Sequence, residues 1–299
     1  MSGTSAVPRY LYHYTSVDTL ELILSNRTFR FNPLTNMDDQ QEQWNAHGKA
    51  HGHFWFISSW TEEEEEIKDM WQQYCRPDAT RGIRIKLPVN PFSHTENKLG
   101  DSDEASLKEL IGITYKYYIK YYGKTPENFD EHAEMAQRLG KEHPEAAVSM
   151  NDEMRSSMRC KVVCYPKNVD GLLTKVEYTD EHSKLYPVMV GNYQGFNFED
   201  DSVFCRYKNT SWAWQKEWRY SMHFQRMIPG KIKSGNTIEL YELPFDYYDL
   251  KLDKNKLKEL EIVTSPVISE DAKKKLSDIL DKYCPTAIVE PSQLRNIDK

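Results

Sequence analysis

Glycine and proline are scarce, 13 and 14 among 299 residues, which excludes collagen-like, linker-rich or low-complexity architecture. Cysteine is scarcer still: Cys75, Cys160, Cys164, Cys205 and Cys284 are the only five. Their odd number and scattered spacing fit reduced thiols better than a disulfide framework. Cys160 and Cys164 lack the second ligand pair that a zinc site needs. No run approaches the ~20 apolar residues of a membrane span, and MSGTSAVPRY has neither the charged nor the apolar region of a secretory signal. A cytoplasmic protein without membrane contact is expected. Basic charge is also short, with 39 Lys and Arg against 46 Asp and Glu for a net charge of -7. That is the reverse of the footprint of a duplex-gripping protein, although a local basic patch stays open. The recognised nucleotide and hydrolase loops G-x-x-x-x-G-K-[ST], G-x-G-x-x-G and G-x-S-x-G are missing.

Aromatic residues are abundant, 12% of the chain with 19 Tyr and 7 Trp, and the length suits one large domain or two small ones. YLYHYT (10–15) reads as a strand leading into a helix whose cap is Thr15, with Asp18 as the acidic half of a capping box and Val17, Leu20, Ile23 and Leu24 at helical spacing. TFRFN (28–32) alternates as a strand, Pro33 to Asp39 as a turn, and HFWFISSW (53–60) as a buried strand. Thr61 then reads as the cap of a helix that opens on Glu62 to Glu66, where the dipole favours acid, and continues through Ile67, Met70, Trp71 and Tyr74. Further strands are expected at 81–89, 161–165, 172–179, 204–209, 217–224 and 237–243. A strand about Leu260–Val263 precedes a helix capped by Ser269 and packed through Leu276, Ile279 and Leu280. Residues 101–157 read as a helical insertion, with Tyr115, Tyr118, Ile119 and Tyr122 on one face beside Lys116, Lys120 and Lys124.

Three segments hold the chemistry: YHYTS (12–16), FISSWT (56–61) and WQKEWR (214–219). Alternation along a strand puts His13 and Thr15 on one face, and Gln215 and Glu217 on another. A carboxylate among Trp212, Trp214 and Trp218 must be paired or functional, because burying it alone is costly. Arg219, Arg206 or Arg81 is the expected partner, and a structural ion pair is the simpler reading. His47, His51 and His53 sit in a polar stretch with no acidic or cysteine partner at fixed spacing, so a solvated loop is the simpler reading there.

The order of YHYTS, the turn with Asn36, Asp38, Asp39 and Glu42, then FISSW, MWQQY, GIRIKL, KVEYTDE and WQKEWR resembles the microbial domain-of-unknown-function 2971 family. Its pattern runs as Tyr-x-Tyr-x-Ser, Asn-Asp-Pro-x-Glu, Met-Trp-x-x-Tyr and Glu-x-Glu-Trp-Arg. Asp39 stands where that pattern has proline, and Gln215 where it has its first glutamate. The similarity runs from about residue 10 to 283, interrupted by the 100–157 insertion.

The same segments resemble, more distantly, the ADP-ribosyltransferase superfamily. That resemblance implies an α+β fold, a split two-sheet core over residues 1–299 with the helical insertion at 101–157, and NAD bound as a substrate between the sheets. It implies Glu217 as the catalytic carboxylate, Gln215 on the acceptor, and His13 donating to the adenosine-side ribose. It also implies cofactor contacts from Tyr14, Thr15, Ser58, Ser59 and Trp71, with Tyr74 stacked on nicotinamide. A fixed carboxylate suits the reaction, since breaking the nicotinamide–ribose bond develops positive charge on the sugar. The implied activity is mono-ADP-ribosyl transfer, a glycosyltransferase reaction, by a toxin or anti-phage defence effector. Its acceptor is a protein, RNA or single-stranded DNA, and its partner an inhibitory antitoxin. Lys116, Lys120 and Lys124 with the tyrosines around them are the local site for a single-stranded base, although a buried tyrosine stripe with solvated lysines is the simpler pattern. Two other classes stay open: a non-catalytic protein-binding module, and a magnesium nuclease on Asp38, Asp39 and Glu42. Turn chemistry explains those carboxylates more simply.

Overall fold

A computed structural model describes residues 6–44, 52–75, 78–97, 99, 102–158, 162–166, 168–187, 191–192, 195–196, 203–226, 243 and 245–294. The chain runs β1 (Tyr10–Ser16), α1 (Val17–Asn26), β2 (Thr28–Pro33), β3 (Trp55–Thr61), α2 (Lys68–Tyr74) and β4 (Gly82–Pro88). Three long helices follow, α3 (Ser102–Tyr122), α4 (Phe129–Glu142) and α5 (Pro144–Met158), then β5 (Val162–Tyr165), β6 (Leu173–Lys175) and β7 (Glu177–Tyr178). After α6 (His182–Leu185), β8 (Gly191–Asn192) and β9 (Gly195–Phe196) come α7 (Val203–Arg206), β10 (Tyr207–Lys208) and β11 (Glu217–Arg226). The chain ends with β12 (Tyr248–Lys251), α8 (Lys254–Leu257), β13 (Glu261–Thr264), α9 (Glu270–Tyr283) and β14 (Ile288–Pro291).

Two compact units result. The first takes residues 1–98, 168–223 and 245–299, the second 99–167 and 224–244. The first is mixed α/β around a mixed sheet in the order β12-β2-β3-β1-β4-β13-β14, with β11 branching from β3 and β6 beyond it. β1 and β4 pair antiparallel along their whole length, from Tyr10 opposite Pro88 to Ser16 opposite Gly82, and β13 and β14 are parallel. The registers put Leu11, Phe31, Phe56, Ile83 and Ile85 on one face of the sheet and Ile57 on the other, and all of them, with Leu20 of α1, are essentially free of solvent. α9 is capped by Ser269, whose Oγ accepts from Ala272 N at 3.2 Å, and it buries Leu276, Ile279 and Leu280 as its periodicity predicts.

β3 determines where a cavity forms. One of its edges is taken throughout by β11, from Trp55 opposite His223 to Thr61 opposite Glu217. The other edge is shared: β2 meets it at Phe56 and Ile57, and β1 only at Thr61. β1 and β2 therefore diverge across Ser58, Ser59 and Trp60, and a sheet that splays open leaves a recess.

Several expectations are corrected. The cap of α1 is Ser16, whose Oγ accepts from Thr19 N at 3.1 Å, because the β1 ladder extends through Thr15 and Ser16; Asp18 instead binds Arg81 through both oxygens, at 2.6 and 2.7 Å. Glu62 to Glu66 do not open a helix. Thr61 ends β3, residues 62–67 are irregular, and α2 starts at Lys68. Their carboxylates find tertiary partners that outweigh the dipole: Glu62 accepts from Lys175 Nζ at 2.7 Å and Trp218 Nε1 at 2.8 Å, and Glu66 from Trp71 Nε1 at 3.0 Å and Gln293 N at 2.7 Å. The segment 204–209 is not one strand, since α7 closes at Arg206 before β10 begins. The strand expected at 237–243 lies outside the described residues except for its last position, as do His47, His51 and Cys160. The four described cysteines are free and buried. Burial pushes the thiols of Cys75, Cys164 and Cys205 up to about 12, which keeps them protonated and inert.

In the second unit, α3, α4 and α5 pack around Ile113, Tyr118, Met135, Leu139, Ala146 and Met150. Tyr118 is fully buried, but Ile119, expected on the same face, is 55% exposed. Lys116 and Lys124 are solvated and paired with Glu153 and Glu131. Among the described residues no helix is long and apolar enough to cross a membrane.

Candidate active site

The recess beside β3 is a cavity of about 300 Å³ in the first unit, lined by residues from β1, α1, β2, β3, α2, β10 and β11. His13, Tyr14, Ser58, Ser59, Tyr74, Gln215 and Glu217 all face it, so seven residues singled out from sequence converge on one place. Thr15 and Trp71 do not line it. Thr15 is buried, its carbonyl accepting from Cys75 Sγ at 3.5 Å. Trp71 is 1% exposed, packs edge-on against Tyr14 at 4.8 Å and donates to Glu66.

His13 reaches across the gap between β1 and β3 and donates from Nδ1 to the carbonyl oxygen of Ser59 at 2.8 Å. A carbonyl only accepts, so the proton is on Nδ1. Burial against Phe29 and Trp60 lowers the imidazole to about 4, only partly opposed by the Ser59 bond; at neutral pH the ring is uncharged. Nε2 is then an acceptor, so the neutral ring cannot make the donation expected of it from that nitrogen.

Glu217 and Arg219 share a face of β11, opposite Thr61 and Ser59 of β3. Arg219 Nε donates to Glu217 Oε1 at 2.6 Å and Nη2 to Oε2 at 3.2 Å. The same guanidinium also binds Glu42, through Nη1 and, at 2.9 Å, through Nη2. Lys208 Nζ donates to Glu217 Oε2 at 3.0 Å and to Gln215 Oε1 at 2.8 Å, and lies 3.5 Å from Glu42 Oε1. Gln215 Nε2 donates in turn to Tyr74 Oη at 2.6 Å. Arg219, Glu217, Lys208 and Glu42 are 1, 4, 5 and 7% exposed: two carboxylates and two cations, balanced and out of water. Burial alone would raise the Glu217 carboxyl, but Arg219, Lys208 and a hydrogen bond from the Ser59 hydroxyl hold it well below the ordinary carboxylate range. Glu217 is therefore ionised.

Of the candidate arginine partners, only Arg219 serves Glu217; Arg206 binds Glu177 and Arg81 binds Asp18. Sequence gave no signal for Lys208, because a lysine in a two-residue strand looks solvated until β10 closes over Gln215. The Asp38–Asp39–Glu42 cluster does not act as a unit: Asp38 accepts from Gln73 Nε2, Asp39 caps the 3-10 turn over Gln40–Gln43, and Glu42 serves Arg219. Among the described residues no group of His, Cys, Asp and Glu is placed to hold a metal ion.

No curated protein and no solved structure matches the chain. A family model described as "Protein of unknown function (DUF2971)" matches residues 70–220. That stretch begins at Met70 of MWQQY and ends just past WQKEWR, so the two motifs that bring Tyr74, Gln215 and Glu217 to the cavity bound it. With half of its length matched between these motifs, the chain belongs to the DUF2971 family.

Proposed function

We propose that this chain is an NAD-dependent mono-ADP-ribosyltransferase with its site in the recess beside β3. The observation that carries the reading is the convergence of His13, Ser59, Tyr74, Gln215 and Glu217 on one cavity, where β1 and β2 part along β3. A sheet that splits at that point supports the ADP-ribosyltransferase-like fold. A cavity of about 300 Å³ is at the lower end of the roughly 300–1,000 Å³ of small-molecule sites, which suits the nicotinamide riboside end of the dinucleotide. The donor set fits as well: an acceptor nitrogen at His13 for a ribose hydroxyl, an ionised carboxylate at Glu217, and an aromatic ring at Tyr74.

In this reading the bond between nicotinamide and ribose breaks, nicotinamide leaves as the neutral base, and the acceptor bonds to the ribose carbon and releases a proton. Glu217 stabilises positive charge on the sugar. His13, held by the Ser59 carbonyl, orients the substrate through Nε2. Gln215, held between Lys208 and Tyr74, faces the acceptor. A toxin or anti-phage role, with an antitoxin covering the cavity, is the biological setting that goes with such a site.

One observation favours a non-catalytic protein-binding module: both oxygens of Glu217 already have partners. The test is release of nicotinamide and labelling of acceptors from NAD, on the protein and nucleic-acid fractions of a cell extract. The wild type is expected to release and label, and E217Q to do neither. If neither the wild type nor E217Q releases nicotinamide or labels an acceptor, and E217Q also leaves any growth inhibition intact, the module reading replaces the enzyme; equal release by both removes Glu217 from the chemistry.

A further inference from the structure

Both cations paired with Glu217 are the protein's own, and both belong to residues that line the cavity. Arg219 is built in: it sits on β11, forks across both glutamates and donates a further hydrogen bond to the Cys205 carbonyl. Lys208 is held differently. It stands on a two-residue strand paired with β7, reaches the carboxylate by a flexible stem, and holds it as a point charge. It lines the cavity, and its ammonium is 4.7 Å from the centre of the Trp212 ring.

The geometry points to a monocation site at Glu217 that Lys208 fills in the resting protein and yields to a flat, singly charged organic cation. Charge arithmetic sets the valence. Glu42 and Glu217 balance Arg219 and Lys208, so withdrawing Lys208 leaves a local charge of minus one. One positive charge restores neutrality, whereas a neutral ring would leave the buried site one negative charge in excess and an anion would add to it. The aromatic surfaces of Tyr74 and Trp60 in the wall favour a planar cation over a compact one. Naming that cation as the pyridinium end of NAD rests on the proposed function; the exchange itself does not. Lys208 also keeps Gln215 and Glu217 occupied until the substrate arrives, so the resting site presents no bare carboxylate to water.

Calorimetry with NAD⁺ and with NADH, whose nicotinamide ring is uncharged, tests the exchange. K208M, which removes the internal competitor, is expected to bind NAD⁺ at least about tenfold tighter than the wild type, as one unit of charge in a partly buried site requires, with NADH affinity unchanged. K208M/E42Q, again balanced, is expected to fall back to the wild-type affinity. Weaker NAD⁺ binding in K208M, or an equal gain for NAD⁺ and NADH, overturns the exchange and leaves Lys208 as a positioning residue or a steric plug. If no variant binds either dinucleotide, the NAD reading fails. The 1-methylnicotinamide cation then decides the exchange, tighter binding to K208M upholding it and no difference overturning it. Should K208M not fold, amine acylation of the wild type followed by mass spectrometry decides. Lys208 is expected to be labelled with NAD⁺ or 1-methylnicotinamide present and protected without them; equal labelling overturns the proposal.

Discussion

His13 and Ser59 are joined by a hydrogen bond of 2.8 Å that spans the one stretch of β3 where neither β1 nor β2 is paired with it. The imidazole thereby takes the place of a ladder contact. This single bond fixes the tautomer, bridges β1 to β3 where their ladder has stopped, and leaves Nε2 of this cavity-lining residue as an acceptor. The same serine stands opposite Arg219 of β11, so Ser59 lies between His13 and the carboxylate end of the candidate site.

The pH dependence of stability follows from that burial. The folded pKa of His13, about 4, is below the unfolded value of about 6.5. As pH falls through 6.5 the unfolded chain takes up a proton that the folded chain refuses, so stability drops until pH reaches about 4, where both forms are protonated. The full effect is at most about 3 kcal/mol. His223, lowered by burial to about 3, works in the same direction. Urea unfolding of His13→Gln is expected to show a shallower loss between pH 6.5 and 4 than the wild type. NAD affinity, which needs only the neutral ring, is expected to stay flat from pH 5 to 8.

The buried quartet separates structure from catalysis. E217Q leaves Arg219 and Lys208 facing Glu42 alone, an uncompensated buried charge that costs about 3–5 kcal/mol. E217Q/K208M restores balance and is expected to recover most of that loss in urea unfolding while releasing no nicotinamide. R219K is expected to be as damaging to stability as E217Q, because an ammonium cannot reproduce a fork that serves two carboxylates. Recovery of turnover in the balanced double variant would show that Glu217 is structural only.

Much of this was legible in the sequence where local pattern and packing agree. The α1 stripe of Val17, Leu20, Ile23 and Leu24 is buried as its spacing predicts, and so is the α9 stripe. His13, Ser59 and Glu217 stood out because polar groups within aromatic strands need a reason to be there. Reading failed where a distant partner decided. Glu62 to Glu66 have the composition of a helix start, yet Lys175, Trp218 and the chain after β14 claim them. Lys208 and Glu42 look like surface charges, since nothing local shows that β10 and the turn before β3 both fold onto Arg219.

Glu66 gives a direct test of that failure. It accepts from Trp71 of α2 and from Ser292 and Gln293 beyond β14, so one carboxylate ties the chain's last segment to the second helix. Glu66→Ala is expected to cost about 1–3 kcal/mol in urea unfolding, and Glu65→Ala, at an exposed neighbour, to stay within about 0.5 kcal/mol of the wild type. A helix start would predict the reverse emphasis, small and equal losses along the run.

In the helical unit, neighbouring residues of α3 separate packing from surface. Tyr118 is fully buried, donates to the His132 carbonyl at 3.3 Å, and meets the His132 ring edge-on at 5.5 Å. Tyr118→Ala is therefore expected to cost about 3–5 kcal/mol, and Ile119→Ser, at a position 55% exposed, to lie within about 0.5 kcal/mol of the wild type. The lysines beside them discriminate between a solvated face and a nucleic-acid contact. Lys116 and Lys124 are each held by a glutamate, Glu153 and Glu131, so their charge is already spoken for. K116A/K124A is expected to bind a single-stranded oligonucleotide no differently from the wild type and with the same salt dependence. A salt slope reduced by one or two counterions would instead mean that these ammonium groups leave their glutamates for phosphate.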